Sequence, residues 1–169
     1  MRRCNKTNCS TCPYVKVGTE VQAGATEANV KINASGNCDT TNLIYCITCK
    51  KCNQNYIGET KRPLKVRFGE HLGYVRNKKL NEPTGYHFNL PGHNITMMEI
   101  TLLEKIWSSS TNLRKIRESK YIQDFDSFYN GINQRRCSSK NKNKIPIFTT
   151  ISKFFKWGFN TPKTLKNTV

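Results

Sequence analysis

Apolar and β-branched residues crowd together in Leu43-Ile44-Tyr45-Cys46-Ile47-Thr48, and a second short run follows in Tyr56-Ile57-Gly58. Such residues fit a pleated, buried surface. The polar Cys-Lys-Lys-Cys-Asn-Gln-Asn stretch between the runs predicts a turn, so the segment reads as a β-hairpin. Beyond it Leu64, Phe68, Leu72 and Val75 recur at i, i+4, i+8 and i+11, one face of an amphipathic helix that opens around Thr60 to Pro63 with proline in its first turn. After a polar loop through Pro83 and Gly85, residues Met98, Ile100 and Leu102 alternate with polar or less buried partners between Met97 and Ile106, a third strand. Ser108-Ser109-Ser110-Thr111 offers helix caps, and Asn112 to Tyr129 reads as a helix stopped by Asn130-Gly131. The predicted order is β-β-α-β-α.

The chain around this core has a different texture. Arg2 to Cys38 holds few large apolar residues, and Gly18 to Gly36 is rich in Gly, Ala, Thr and Asn, so this part is not expected to fold by core packing alone. Gln134 to Val169 mixes lysines with Ile147, Phe148, Phe154, Phe155, Trp157 and Phe159. Three segments are therefore expected: a Cys-rich segment over 1–40, a central domain over 41–135 and a basic aromatic tail over 136–169.

Charge narrows the function. Lys and Arg number 28 against 11 Asp and Glu, a net +17, and no acidic residue follows Asp126. A compact chain with that excess repels itself unless it works on a polyanion, which makes nucleic acid the first candidate partner ahead of a general solubility charge or a membrane surface. For the tail, the salt-dependent backbone contact that this implies stands beside a short amphipathic helix packing on the domain or touching a membrane. No apolar run approaches the ~18 residues of a membrane span, and Met1-Arg2-Arg3 leads into Cys and Asn rather than an apolar signal core. An intracellular protein is expected. In that setting eight cysteines, two close Cys pairs and histidines favour metal binding over disulfides.

Several residues could carry chemistry. Glu118 shares a helix face with Tyr121, Ile122 and Phe125, and a carboxylate in an apolar stripe needs either a salt bridge or a metal ion. Arg67 and His71 stand i, i+4 and can address one point. A phosphate would satisfy both, while an exposed Arg beside a surface His is the plain alternative. Cys49 and Cys52 in the hairpin turn, with His87 and His93 flanking Leu-Pro-Gly, could complete a Cys2His2 zinc site. A redox Cys pair and unpaired surface histidines are the other readings. Cys46, inside an apolar strand, is most simply a packing residue, and Cys137 is left over.

In order along the chain these residues resemble the GIY-YIG nucleases. Leu43-Ile44-Tyr45, ten intervening residues and Tyr56-Ile57-Gly58 are similar to the family's two-strand signature; Thr60, Leu64, Arg67 and His71 to its helix; Glu118-Ser-Lys-Tyr121-Ile122 to its metal-binding glutamate; and Gly131-Ile132-Asn133 to its late asparagine. The first glycine of the signature is Leu43 here, which leaves the tyrosine hydroxyl untouched. The resemblance covers about residues 42 to 135. It implies a small α+β domain with a three-stranded antiparallel sheet flanked by helices, and divalent-metal-dependent phosphodiester hydrolysis. Glu118 would hold a catalytic Mg2+ or Mn2+, Tyr45 with Tyr56 would orient or deprotonate the attacking water, Arg67 would hold the phosphate, His71 would bond Tyr45 or the phosphate, and Asn133 would position the loop. The Cys and His insertion, the Cys4-x4-Cys9-x2-Cys12 run and Cys38-Asp-Thr-Thr-Asn resemble the endonuclease domain of Penelope-like retroelements. That likeness implies DNA as target, nuclear action, a reverse transcriptase in the same element as partner, and zinc as a structural ion. Cys4, Cys9, Cys12 and Cys38 could form a second zinc site that orders the apolar-poor N-terminus, with a disulfide or a knuckle lacking Cys38 as alternatives. Two other function classes stay open: a zinc-ordered nucleic-acid-binding module without cleavage, and a cationic disulfide-rich defence protein.

Overall fold

The structure is a computed structural model that describes residues 1–24, 28–32 and 34–133. The expected basic aromatic tail and Cys137 lie outside the described residues. The fold described is that of the unit Met1–Arg136.

Its centre is an antiparallel three-stranded sheet. The strands are β3 (Leu43–Cys49), β4 (Asn55–Thr60) and β5 (Met98–Lys105), in the order β4-β3-β5; two short strands before them, β1 (Glu20–Gln22) and β2 (Asn29–Lys31), pair separately. Helix α1 (Leu64–Arg76) follows β4, a short helix α2 (Pro83–His87) precedes β5, and α3 (Thr111–Asp124) closes the domain. All seven residues of β3 are buried, because both faces of the sheet are covered. The period of two then sorts the strand. Leu43, Tyr45, Ile47 and Cys49 join one core cluster with Leu64, Phe68, Leu72 and Val75 of α1. Ile44 and Cys46 join a second cluster with Ile57, Leu103, Tyr121 and Phe125.

The expected α+β class, three-stranded sheet and helical stripe are all present. Three local expectations change. The N-terminal segment adds a few residues to the core, Val21 and Ala23 in the second cluster and Val15 buried beside β5, with Lys16 N donating to Ile100 O at 3.0 Å. In consequence β5 does not simply alternate, since Thr101 and Leu103 are buried as well. Part of the expected polar loop is α2. The last helix ends at Asp124 rather than running to Tyr129, and Asp126 takes a left-handed φ of 46° just beyond Phe125. Ser110 does cap that helix, its side chain accepting from Leu113 N at 3.3 Å.

Helix α1 starts without a side-chain cap. Its first amides go instead to the N-terminal segment, Leu64 N to Thr40 O at 3.0 Å and Lys65 N to Cys38 O at 2.8 Å. These are donors that a helix start leaves without partners, so the segment sets where α1 begins.

The deeply buried charge on α3 is Arg114, not Glu118. Arg114 is 2% exposed and meets Glu59 Oε2 at 2.8 Å, Asn42 Oδ1 at 3.2 Å, the carbonyls of Ser109 and Ser110, and Thr111 Oγ1. A guanidinium so fully bonded joins α3 to the end of β3 and to β4. Arg117, one turn on, pairs with Glu104 at a half-exposed site. We therefore expect Arg114→Ala to lower unfolding stability by about 3 kcal/mol and Arg117→Ala by less than about 1 kcal/mol in chemical denaturation. Equal losses would contradict the role given to burial.

Candidate active site

Tyr45 sits mid-strand in β3 opposite Gly58 of β4. A Cβ at position 58 would lie 2.5 Å from the Tyr45 hydroxyl oxygen and 2.9 Å from Tyr56 Cε1, so glycine is what lets the Tyr45 side chain lie across the neighbouring strand. Leu43, where a glycine might have stood, is a fully buried core residue.

The Tyr45 side chain is fully buried, and two residues of α1 meet its hydroxyl. Arg67 Nε donates to it at 3.0 Å, and His71 Nε2 lies 2.8 Å away. A guanidinium can only donate, so the Tyr45 oxygen accepts from Arg67, and we assign the phenol proton to His71 Nε2. That fixes the imidazole proton on Nδ1, which donates to Thr84 Oγ1 of α2 at 2.9 Å. The chain Arg67 to Tyr45 to His71 to Thr84 therefore runs in one direction. Burial, and then the Arg67 charge, hold His71 down at about 3. Burial pushes the Tyr45 phenol well above its ordinary value, with the Tyr56 phenol adding to the effect and Arg67 opposing it.

Tyr56 keeps an exposed edge, its ring centroid 5.1 Å from that of His71 and 6.3 Å from that of Tyr45. Its phenol too is raised, by burial first, while Arg67 pulls against it and the Glu118 carboxylate adds to it. Glu118 is half-buried on α3, Oε1 accepting from Glu59 N at 3.1 Å. Asn133 acts like a strand partner for β4: its Oδ1 accepts from Ile57 N and its Nδ2 donates to Ile57 O, both at 2.7 Å. Ser127 Oγ donates to the same Oδ1 at 2.7 Å. Gly131 is required nearby, because a Cβ there would lie 2.7 Å from Asn55 O.

Tyr45, Tyr56, Arg67 and His71 thus come together, with Glu118 close enough to act electrostatically on both phenols and Asn133 bracing the strand that carries Tyr56. Two expectations need correction. His71 is not a surface histidine: it is 2% exposed, and burial, then the Arg67 charge, keep it neutral. Glu118 is half-exposed at the edge of the sheet rather than sunk in the apolar stripe. The sequence reading also missed Thr84 and Glu70. Glu70 holds Arg67 Nη1 at 2.7 Å and Arg62 Nη1 at 2.7 Å; its i, i+3 spacing from Arg67 was the available signal.

Two further clusters form among the described residues. Cys49, Cys52, His87 and His93 bring their ligand atoms within 4.8 Å of one another, and so do Cys4, Cys9, Cys12 and Cys38. In the first, Cys52 Sγ and His87 Nε2 are 3.5 Å apart, and burial followed by the neighbouring His93 holds His87 down at about 4. His93 Nδ1 lies 3.3 Å from Pro91 O, while its Nε2 is buried with no hydrogen-bond partner. An orphaned imidazole nitrogen beside two thiols and a neutral histidine fits a four-coordinate Cys2His2 zinc site. Glu118 belongs to no group of three or more His, Cys, Asp and Glu ligands among the described residues. A lone carboxylate suits Mg2+, which keeps several waters and takes its remaining ligands from substrate phosphate.

Residues 41–133 match the family described as the GIY-YIG catalytic domain. The uncharacterized protein 019R of Invertebrate iridescent virus 6 is 31% identical over 102 residues, covering 59% of this chain and 35% of that protein, so the chain spans about a third of the length of this relative. Among solved structures, the catalytic domain of homing endonuclease I-TevI is similar with 24% identity and a TM-score of 0.44, over 53% of this chain and 92% of that one.

The neutral, buried His71 has a consequence for stability. Its imidazole, with an ordinary value of 6.5, protonates in the unfolded chain before it does in the folded one. Its contribution is therefore complete above pH 6.5 and is lost as pH falls towards about 3. Unfolding free energy compared between the wild type and His71→Gln should converge by roughly 2–3 kcal/mol between about pH 6.5 and 4.5. Parallel curves would show that the imidazole is not held neutral.

Proposed function

The chain belongs to the GIY-YIG nuclease family, and from that premise we propose that it is a divalent-metal-dependent endonuclease that hydrolyses phosphodiester bonds in DNA. The observation that carries the reading is the convergence of Arg67 and His71, from one helix, on the hydroxyl of Tyr45, with Glu118 beside the phenol pair.

In this reading Glu118 would hold Mg2+ or Mn2+, which when bound draws charge from a non-bridging phosphate oxygen and from the departing 3′ oxygen. The chain's own side chains do the rest. Tyr56, the phenol with an exposed edge, faces the substrate and orients the attacking water. Tyr45 stands behind it. Both phenols are protonated in the resting site, so they act first as hydrogen-bonding groups, and loss of a proton requires extra positive charge brought by the substrate complex. The neutral imidazole of His71 accepts the Tyr45 proton in its hydrogen bond and keeps the hydroxyl aimed. Arg67, held by Glu70, presents its charge to the phosphate as negative charge builds on the oxygens. Water oxygen bonds to phosphorus, the bond to the 3′ oxygen breaks, and the proton ends on that oxygen. Asn133 keeps β4, and so Tyr56, in register.

We assign zinc to Cys49, Cys52, His87 and His93 as a structural ion. It would clamp the β3–β4 turn to α2, the helix that also carries Thr84. The same Cys and His insertion supports descent from a Penelope-like retroelement, and with it nuclear action, a reverse transcriptase partner and a division of the chain near residues 40 and 135. The net charge of +17 supports backbone contacts to DNA that weaken as salt rises.

Relaxation of supercoiled plasmid in Mg2+ or Mn2+ tests the reaction. Glu118→Ala should abolish nicking while gel-shift affinity is retained, and Arg67→Ala should lower turnover more than affinity. A wild type that shifts DNA yet never relaxes it would leave only a binding module. Thr84→Val, which removes the acceptor for His71 at constant volume, should lower turnover by about three- to tenfold with little change in KM. Thr84→Ser should restore it, and an unaffected Thr84→Val would remove Thr84 from the positioning chain.

A further inference from the structure

We propose that Cys4, Cys9, Cys12 and Cys38 form a second zinc centre, a closed all-thiolate tetrahedron that fastens the N-terminal arm to the helix carrying Arg67 and His71. The assignment does not depend on whether the chain cleaves DNA.

The geometry is that of one ion rather than of two bonds. Cys4 Sγ and Cys12 Sγ are 3.4 Å apart, Cys12 Sγ and Cys38 Sγ 3.7 Å, and all four sulfurs lie within 4.8 Å of one another. Zn–S bonds of about 2.3 Å in a tetrahedron place the sulfurs about 3.8 Å apart, so closure onto an ion needs shifts of at most about one ångström. Disulfides would instead draw the sulfurs into pairs about 2.05 Å apart, and Cys12 lies nearly equidistant from two others.

The local chain is shaped for thiolates. Asn5 and Asn8 adopt left-handed φ of 54° and 68°, which curl the arm back on itself between Cys4 and Cys9. The Lys6 amide is directed at the Cys4 sulfur and the Asn5 amide at Cys12. Four thiolates around Zn2+ carry a net charge of −2. Lys6 and Lys65 stand beside them, both paired to Asp39, at 2.8 and 2.7 Å. Soft thiolates and full closure with no open position describe a structural zinc site rather than a catalytic one.

The arm also has the need. Over residues 1–12 the cluster and Thr11 are its buried or partly buried elements beside Met1, with the remaining residues exposed, and Arg2 N to Gly36 O is a hydrogen bond tying its start to the domain. Too little apolar surface is buried here to order a dozen residues. Cys38 is fully buried, and its carbonyl receives the Lys65 amide at 2.8 Å. An ion holding Cys38 would therefore hold the first turn of α1, on which Arg67 follows within one turn.

The test is metal stoichiometry on the full chain purified under reducing conditions. Elemental analysis should find two zinc ions per chain, falling to one in Cys9→Ser/Cys12→Ser and to one in Cys49→Ser/Cys52→Ser. Cobalt-substituted wild type should show two ligand-field envelopes, one of a four-sulfur site and one of a two-sulfur, two-nitrogen site. If the double serine variant does not fold, Cys9→His decides the matter: it should keep two metals and change the four-sulfur envelope alone. One zinc per chain in the wild type, lost wholly with Cys49 and Cys52, would overturn the proposal. So would two zinc ions surviving in Cys9→Ser/Cys12→Ser, or a native mass lowered by the hydrogens lost on disulfide formation.

Discussion

A tyrosine hydroxyl has been placed where water cannot reach it. β3 is buried along its whole length, and packing in an apolar strand so enclosed calls for no hydroxyl at position 45. Tyr brings a polar group that costs several kcal/mol unless it is hydrogen-bonded. That one requirement organises the site. It draws Arg67 and His71 from α1 to a common point, and because Arg67 can only donate, it dictates the tautomer of His71. His71 in turn needs an acceptor for Nδ1–H and finds Thr84 on α2. Each bond makes the next obligatory, so a single buried hydroxyl ties a strand to two helices.

The network ends on the element where another cluster begins. Thr84 and His87 lie on the same five-residue helix, too short to be stable alone. Thr84 faces the phenol network and His87 the Cys49 and Cys52 thiols. Whatever fixes His87 therefore fixes Thr84, and through it the imidazole. At its other end α1 begins on carbonyls of the N-terminal segment, Cys38 and Thr40. The helix that carries both Arg67 and His71 is held at each end by parts of the chain with little apolar surface of their own. The proposed zinc ions would do there what burial does in the middle.

How much of this could be read beforehand depends on the range of the interaction. The hairpin, the Leu64 to Val75 stripe and the pairing of Arg67 with His71 on one flank are set by period and spacing, and they were legible. The two tyrosines were legible as a pair but not in their unequal exposure, which depends on α1 covering one face of the sheet. β1, β2 and α2 were not, since three to five residues show no period and their stability comes from what they pack on. Arg114 and Glu118 occupy successive turns of one helix, and the sequence pattern treats them alike. Which one is buried is decided by Glu59 on β4 and by the Ser109 and Ser110 carbonyls, distant or conformational partners that no local pattern reveals. The left-handed Asp126 that ends α3 early was hidden behind the stronger Asn-Gly signal a few residues on.

Charge placement follows from the same burial. With His71 neutral and both phenols protonated, the cation at the meeting point of the site is Arg67, and Glu70 holds part of its guanidinium. Glu118, on α3, acts on both phenols through its charge. In the proposed reaction a phosphate would meet the Arg67 charge and the Glu118 carboxylate together, and a cation at Glu118 would offset the repulsion from the carboxylate. In that reading an ion at Glu118 would help the anion settle, as well as supply charge for the chemistry. Burial first keeps the phenols protonated at rest; Glu118 adds to that and Arg67 opposes it, and neutralising Glu118 would shift the balance towards Arg67. In that reading, binding of a cation and loss of a phenolic proton would be coupled through the field.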